Sequence, residues 1–146
     1  MENVKDVLDH KGQAAWSIGP DEEAGQALAV LKDKNIGALL VLDREDNLLG
    51  IFTERNFVRY CTGKEEFSLH VPVRDIMNQE VVCVNEHQTL QNCMILMTEK
   101  RIRHLPVVQN QRIIGIISIG DVVNACIHEK DLLIDQLEHY IAGSLY

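Results

Sequence analysis

A hydroxyl and a carboxylate lie three residues apart in the stretch Ser118-Ile119-Gly120-Asp121. If a helix begins here, both side chains and the free backbone N–H groups of its first turn converge on one point. A carboxylate can accept from both vicinal hydroxyls of a ribose, whereas the hydroxyl, the amides and the positive helix end suit a phosphate. Gly120 leaves room for a ligand. The same spacing also caps a helix that binds nothing, which stabilises it by about 1 kcal/mol.

Positive side chains are concentrated in one short stretch, Lys100-Arg101-Ile102-Arg103-His104. The chain carries 22 acidic residues against 14 Lys and Arg, for a net charge of −8, and only 5% of its residues are aromatic. A single small anion therefore fits this stretch better than a nucleic acid, which needs an extended basic surface. Lys100 and Arg101 can alternatively complement the C-terminal end of a preceding helix.

The cysteines and histidines show no catalytic or metal-binding spacing. The four cysteines form no CxxC pair, and the six histidines never stand four residues apart. We expect reduced, inert thiols, with Cys83 and Cys93 packed as small core hydrophobes. No G-x-S-x-G elbow is present, so an enzyme is not favoured.

Length and composition favour one globular unit. A chain of 146 residues with 46% apolar residues can bury one good core, as one compact domain or two halves that share it. No apolar run reaches the roughly 18 residues that a membrane span needs, and the N-terminal residues lack a secretory pattern. We expect a cytoplasmic protein without a membrane or nucleic-acid partner.

The apolar pattern of the chain occurs twice. The stretch 35–42 aligns with 101–108 at an offset of 66, and 50–53 aligns with 115–118 at an offset of 65. Upstream, the helical stripe Ala24, Ala27, Leu28 and Leu31 returns 66 residues later as Leu90, Cys93, Met94 and Met97. Such a duplication indicates two copies of one supersecondary unit.

Each copy predicts a β-α-β-β-α unit. The extended entries are 14–18 and 81–84, the first helices start near Pro20 and Glu86, and the hairpin turns are 43–47 and 109–111. The strands 38–42 and 105–108 are apolar without alternation, so both faces of each sheet should be covered, one by helices and one by the other copy. Neither half should be stable alone.

The predicted boundaries are 1–60 for the first repeat, 61–75 for a linker, 76–128 for the second repeat and 129–146 for a C-terminal amphipathic helix. The apolar edge of that helix comprises Leu132, Leu133, Leu137, Tyr140 and Ile141. It can dock on its own domain or on a second subunit, and the sequence leaves both open.

Paired βαββα repeats with Gly-apolar-x-Ser/Thr-x-x-Asp after the second hairpin strand resemble the cystathionine-β-synthase (CBS) domain pair, or Bateman module. The resemblance runs from about residue 11 to 127 and is strongest to small stand-alone bacterial proteins. It implies an α+β fold with a pseudo-two-fold axis and a homodimer that regulates an unknown protein target. It also implies adenine nucleotides (AMP, ADP, ATP or NAD-type dinucleotides, sometimes S-adenosylmethionine) as regulatory ligands in the inter-repeat clefts, with no required cofactor and no catalysis.

The resemblance also implies the site residues. Asp121 would bind the ribose in one cleft with Ser118 and Gly120, and this cleft would be completed by Ile36, Gly37 and Ala38, with Lys11 nearby. In the other cleft, the phosphate would be reached by Thr53, Arg55, Arg103 and His104.

The first repeat departs from the family pattern because Asn56 stands where the ribose-binding Asp is expected. An amide lacks the charge-assisted strength of a carboxylate, about 1.5–3 kcal/mol per hydrogen bond against about 1 for neutral pairs. We expect weaker, different or no binding there. The main alternative function is a ligand-free scaffold for dimerisation and interaction, and a nucleotide hydrolase is disfavoured because the sequence shows no carboxylate cluster.

Overall fold

The structure is a computed structural model that describes residues 3–12 and 15–142. Within these residues the strands form two three-stranded sheets, of order β1-β2-β3 and β4-β5-β6. The strands are β1 (Ser17–Ile18), β2 (Ala38–Leu42), β3 (Leu48–Thr53), β4 (Val84–Asn85), β5 (His104–Gln109) and β6 (Arg112–Ser118). The helices are α1 (Val4–Lys11), α2 (Ala24–Lys34), α3 (Glu54–Thr62), α4 (Leu90–Lys100) and α5 (Ile119–Ile141), with a short 3-10 helix at Val73–Asp75.

The two repeats have the same topology and the same irregularity. In each sheet the first strand pairs parallel with the second, which pairs antiparallel with the third. The register of the antiparallel pair shifts between Val41 and Leu42 in the first repeat and between Val107 and Val108 in the second. These positions correspond at the offset of 66, so the predicted α+β fold of two βαββα repeats is confirmed.

The strands are apolar throughout because both of their faces are buried. Leu39 and Val41 of β2 pack with Phe52 against α2. Ala38 and Leu40, which point to the other face, form a shared core with Ile51; its partly buried members from the second repeat include Val81, Ile113 and Ile116. The prediction of helices on one face and the other repeat on the second is confirmed.

The first helix of each repeat begins four residues later than we expected from Pro20 and Glu86. The N-cap of α4 is Thr89, whose hydroxyl accepts from the backbone N–H of Asn92, and the N-cap of α2 is Glu23. The residues before these caps form turns. Cys83 is exposed, so its predicted core position is wrong, whereas Cys93 is fully buried.

Helix α1 was not expected, and it packs on the second repeat. Its apolar residues Val4, Val7 and Leu8 are buried among β5, β6 and α4. The backbone N–H groups of Val4 and Lys5 donate to the carbonyls of Gln88 and Glu86. A sequence signal was available, because Asn3 and Asp6 form a capping box in front of an i, i+3, i+4 apolar stripe.

The segment expected as a linker ends inside the first repeat. The carbonyls of Leu69 and Val71 accept from the first N–H groups of α2, those of Gly25 and Ala24. Val73 is fully buried in the core formed by α2, β2 and β3.

Helix α5 is continuous over 23 residues, so the predicted C-terminal helix extends the last helix of the second repeat without a break. Only its first part packs on the domain, through Val122 and Ala125. In the part that follows, 129–141, which we call the C-terminal arm, Leu132, Leu133, Ile134, Leu137, Tyr140 and Ile141 are each at least half exposed. Docking of this arm on its own domain is not observed, and residues 143–146 lie outside the described residues.

Replacing Leu8 with alanine should lower the free energy of unfolding by about 2–5 kcal/mol, because a fully buried side chain leaves a cavity. Urea unfolding measures the loss. Asp9→Ala on the exposed face of the same helix is the control. Equal free energies for the two variants would show that α1 contributes nothing to the core of the second repeat.

Candidate functional site

The first turn of α5 holds the carboxylate singled out from the sequence. Ser118 is the N-cap; its backbone N–H donates to Asp121 Oδ2 at 2.8 Å, and the Asp121 N–H donates to Ser118 Oγ at 3.1 Å. Ser118 and Asp121 therefore cap the helix, as their spacing predicts. Capping does not seal the carboxylate, because 21% of the Asp121 side chain is exposed.

Lys11, at the end of α1, reaches the same carboxylate from the opposite end of the chain. Its Nζ donates to Asp121 Oδ2 at 2.7 Å and to the carbonyl of Ile116 at 3.0 Å. Burial raises the pKa of Asp121, but the hydrogen bonds from Lys11 and Ser118 together with the Lys11 charge outweigh this effect, so the pKa is lowered. The carboxylate is therefore ionised at neutral pH and held by a cation.

His104 belongs to the same group of side chains. A Cβ atom on Gly37 would lie 3.1 Å from His104 Cε1, so the imidazole lies directly against the first repeat at a position without a side chain. Burial lowers the pKa of His104; the charge of Asp121 opposes this effect, and those of Lys11 and Arg103 add to it. A neutral imidazole thus contacts Gly37 and is subject to the charges of Lys11 and Asp121.

This placement of His104 differs from the expectation that it would join Thr53 and Arg55 at the other cleft. His104 begins β5 and pairs in register with Ser118, which brings its ring to the second-repeat site. Its neighbour Arg103 is exposed, and the Arg103 carbonyl accepts from the Ile119 N–H at 2.8 Å.

The three first-repeat residues expected around Asp121 have different environments. Gly37 is exposed and contacts His104. Ala38 is buried in the core shared by the repeats, and Ile36 packs against the core under α2. A contribution of Ile36 or Ala38 to a ligand would therefore come from the backbone.

The corresponding turn of the first repeat is closed by its own residues. Asn56 Oδ1 accepts from the Thr53 N–H and hydroxyl at 3.0 and 2.9 Å, and the Asn56 N–H donates to Thr53 Oγ1 at 3.1 Å. Arg55 Nη1 donates to the carbonyl of Arg101 at 3.3 Å, which links α3 to the end of α4. In this turn Thr53 and Asn56 are therefore hydrogen-bonded to each other, and Arg55 is bonded to the end of α4.

A cavity of about 800 Å³ lies at the opposite end of the strands, between the two hairpin turns. Its polar lining includes Asp46, Asn47, Asn110 and Arg112. These residues carry no sequence signal of a ligand site, because turn residues of this kind are also what a hairpin itself requires.

Among residues 3–12 and 15–142, no three His, Cys, Asp or Glu side chains are grouped so that they could hold a metal ion. Nor does that part contain a helix with the length and apolarity to cross a bilayer.

Stability should depend on the protonation of His104. Because its pKa in the fold lies below the ordinary value of 6.5, the unfolded chain binds the proton first as the pH falls. The free energy of unfolding should therefore be highest above about pH 6.5 and should decrease below it. Urea unfolding between about pH 5 and pH 8 measures this slope.

His104→Gln should remove part of the slope, whereas His87→Gln, at an exposed position, is the control. An unchanged slope in His104→Gln would contradict the burial of a neutral imidazole at this junction.

Comparison with known proteins gives the same organisation. The model of the CBS domain matches residues 4–63 and 73–128. The chain is 44% identical to a CBS-domain-containing protein of known structure from Agrobacterium tumefaciens, with a TM-score of 0.82 over 85% of this chain and 92% of that one. It is also 35% identical to the mitochondrial CBS domain-containing protein CBSX3 of Arabidopsis thaliana (96% of this chain, 72% of that protein) and 28% identical to YhcV of Bacillus subtilis (99% and 92%). The chain belongs to the CBS-domain family, as a pair of CBS repeats.

Proposed function

We propose that this protein is a regulatory module that binds an adenine nucleotide, such as AMP, ADP, ATP or an NAD-type dinucleotide, at Asp121. The observation that carries the proposal is the convergence of an ionised carboxylate, a cation and an imidazole where the two repeats of a CBS pair meet. A pair of the same fold, that of protein MJ0100, 22% identical, is described in complex with 5-methylthioadenosine and S-adenosyl-L-methionine. The fold is thus compatible with an adenosine ligand.

The carboxylate can bind a sugar without losing its cap. The hydrogen bonds that the Asp121 carboxylate accepts from Lys11 Nζ and from the Ser118 N–H both end on Oδ2. We assign Oδ1 to a ribose hydroxyl, because a carboxylate oxygen accepts up to two hydrogen bonds. Gly120, in the first turn of α5, is exposed, and a side chain there would meet only the Ser118 hydroxyl, at 3.6 Å.

The phosphate would lie among the positive groups of this junction. Lys11 and Arg103 supply charge, and neutral His104 can donate one hydrogen bond or, on protonation, a charge. In the first repeat, Thr53 and Asn56 satisfy each other, and we propose that this turn binds a nucleotide more weakly or not at all.

Regulation follows from the position of the site between the repeats. A ligand that contacts Gly37 of one repeat and Asp121 of the other would favour one relative arrangement of the two. Such coupling typically amounts to about 1–3 kcal/mol, which a partner protein could sense through the outer helices. We propose a non-catalytic role in the cytoplasm, although a relative is named as mitochondrial.

AMP should raise the melting temperature of the protein, because a ligand at 100 times its dissociation constant adds about 2.7 kcal/mol of stability. Asp121→Ala should abolish this shift, each variant being compared with its own ligand-free melting temperature. Asp131→Ala, an exposed Asp on the same helix, is the matched control and should keep the shift. A shift that survives in Asp121→Ala would place the nucleotide elsewhere.

A second candidate, a ligand-free interaction scaffold, is favoured by one observation: both helix caps are complete without a ligand. It predicts no thermal shift with AMP, ATP, NADH or S-adenosylmethionine. A saturable shift with any of these would exclude it.

We further propose that a second copy of the chain covers α5. Ile119, Val123, Ile127, Ile134, Leu137 and Ile141 form one exposed apolar stripe along its 23 residues, a length of about 34 Å. Such a stripe marks an interaction surface. A dimer with a two-fold axis needs only this one surface, since the axis pairs the stripe of one copy with the same stripe of the other. A CBS-CP12 protein of similar fold is hexameric.

Replacing Ile134 and Leu137 with glutamate should convert the dimer to a monomer, because it places charges on the stripe that the second copy would bury. Sedimentation equilibrium measures the mass. Leu132→Glu is the control, since Leu132 is equally exposed but lies on the other side of the helix. A monomeric wild-type protein, or loss of the dimer in Leu132→Glu as well, would contradict the proposed surface.

A further inference from the structure

The carboxylate that we assign to the ribose already has a cationic partner within the chain. Lys11 lies 110 residues before Asp121, and its ammonium group is shared between Asp121 Oδ2 and the carbonyl of Ile116. About 31% of the Lys11 side chain is exposed, so the pair lies at the edge of solvent and a ligand can reach it.

The backbone that carries Lys11 is fixed, whereas its ammonium group is not. Helix α1 is fixed by the burial of Val4, Val7 and Leu8 in the second repeat and by backbone hydrogen bonds to Glu86 and Gln88. The lysine stem projects from the last residue of this helix, and Gly12 follows it with a φ of +90°. A long flexible stem on a fixed base lets the charge move by a few ångströms without moving the fold.

We propose that Lys11 selects phosphorylated ligands by exchanging partners. In the free protein it neutralises Asp121. When ribose hydroxyls approach the carboxylate, they compete with the ammonium group for its lone pairs. A ligand with a 5′-phosphate offers Lys11 a new anionic partner close by. A neutral nucleoside weakens the ion pair and has no anionic group to replace the carboxylate. This inference rests on nucleotide binding at Asp121 and adds that the site discriminates on ligand charge.

The charges of the neighbouring elements favour this exchange. Arg103, directly before β5, has a positive charge that acts on His104 in the same sense as the charge of Lys11. Asp121 is the acidic group whose charge acts on His104. When the ammonium group of Lys11 moves away from Asp121, the Asp121 carboxylate and the Arg103 guanidinium therefore remain as the charges beside the ligand. An incoming phosphate then restores the partner that Lys11 gave up.

Titration calorimetry with AMP and adenosine, which differ only in the phosphate, tests the exchange. Lys11→Met keeps the stem and removes the charge. This variant should bind AMP roughly tenfold more weakly than the wild type, because a charge-assisted contact with the phosphate is lost. Its affinity for adenosine should be unchanged or up to about fivefold higher, because the competing ion pair is gone. The AMP-to-adenosine preference should therefore fall at least tenfold. Lys11→Arg, which keeps the charge, should largely restore it.

Lys5→Met is the matched control, since it makes the same change at an exposed position of the same helix. It should bind both ligands as the wild type does. An unchanged preference in Lys11→Met, or an equal loss of both ligands, would overturn the exchange while leaving nucleotide binding intact. Absence of binding of either ligand to the wild type would overturn the proposed function, and this inference with it.

Discussion

The burial of one sheet face of each repeat against the other repeat is the constraint on which the structure depends. Ala38, Leu40 and Ile51 of the first repeat lie in one core with Ile113 and Ile116 of the second. Separating the repeats would expose this apolar surface to water, at roughly 25 cal/mol per Å². The pairing therefore holds β2 and β6 at fixed positions, and their ends carry Gly37 on one side and Ser118 on the other.

The site at the junction follows from this pairing. His104 and Ser118 are opposite each other in β5 and β6, so the end of the hairpin places the imidazole beside the first turn of α5. Gly37 lies against this ring from the other repeat. A residue with a Cβ at this position would need the imidazole to move. The same core that stabilises the fold thus brings side chains from three distant parts of the sequence, near positions 11, 37 and 121, to one place.

The sequence predicted the features that depend on periodicity and missed those that depend on contacts between distant segments. The duplicated stripes, the non-alternating strands 38–42 and 105–108 and the cap at Ser118 are local patterns, and all appear in the structure. The packing of α1 on the second repeat and the position of His104 could not be obtained in this way, because both depend on which elements become neighbours. Cys83 shows the same limit, since an apolar stretch does not reveal which of its residues points outward.

The two repeats differ most at the residue that closes the helix cap. In the first repeat the Asn56 amide oxygen accepts from both the backbone and the hydroxyl of Thr53. In the second, Asp121 accepts from the Ser118 backbone, and its remaining charge is met by Lys11. A neutral amide is satisfied by its own turn, whereas a carboxylate in the same geometry retains a charge that requires a partner. The amide at position 56 thus closes its cap without a charged partner, whereas the carboxylate at position 121 closes the same cap and also holds a cation that a ligand can compete for.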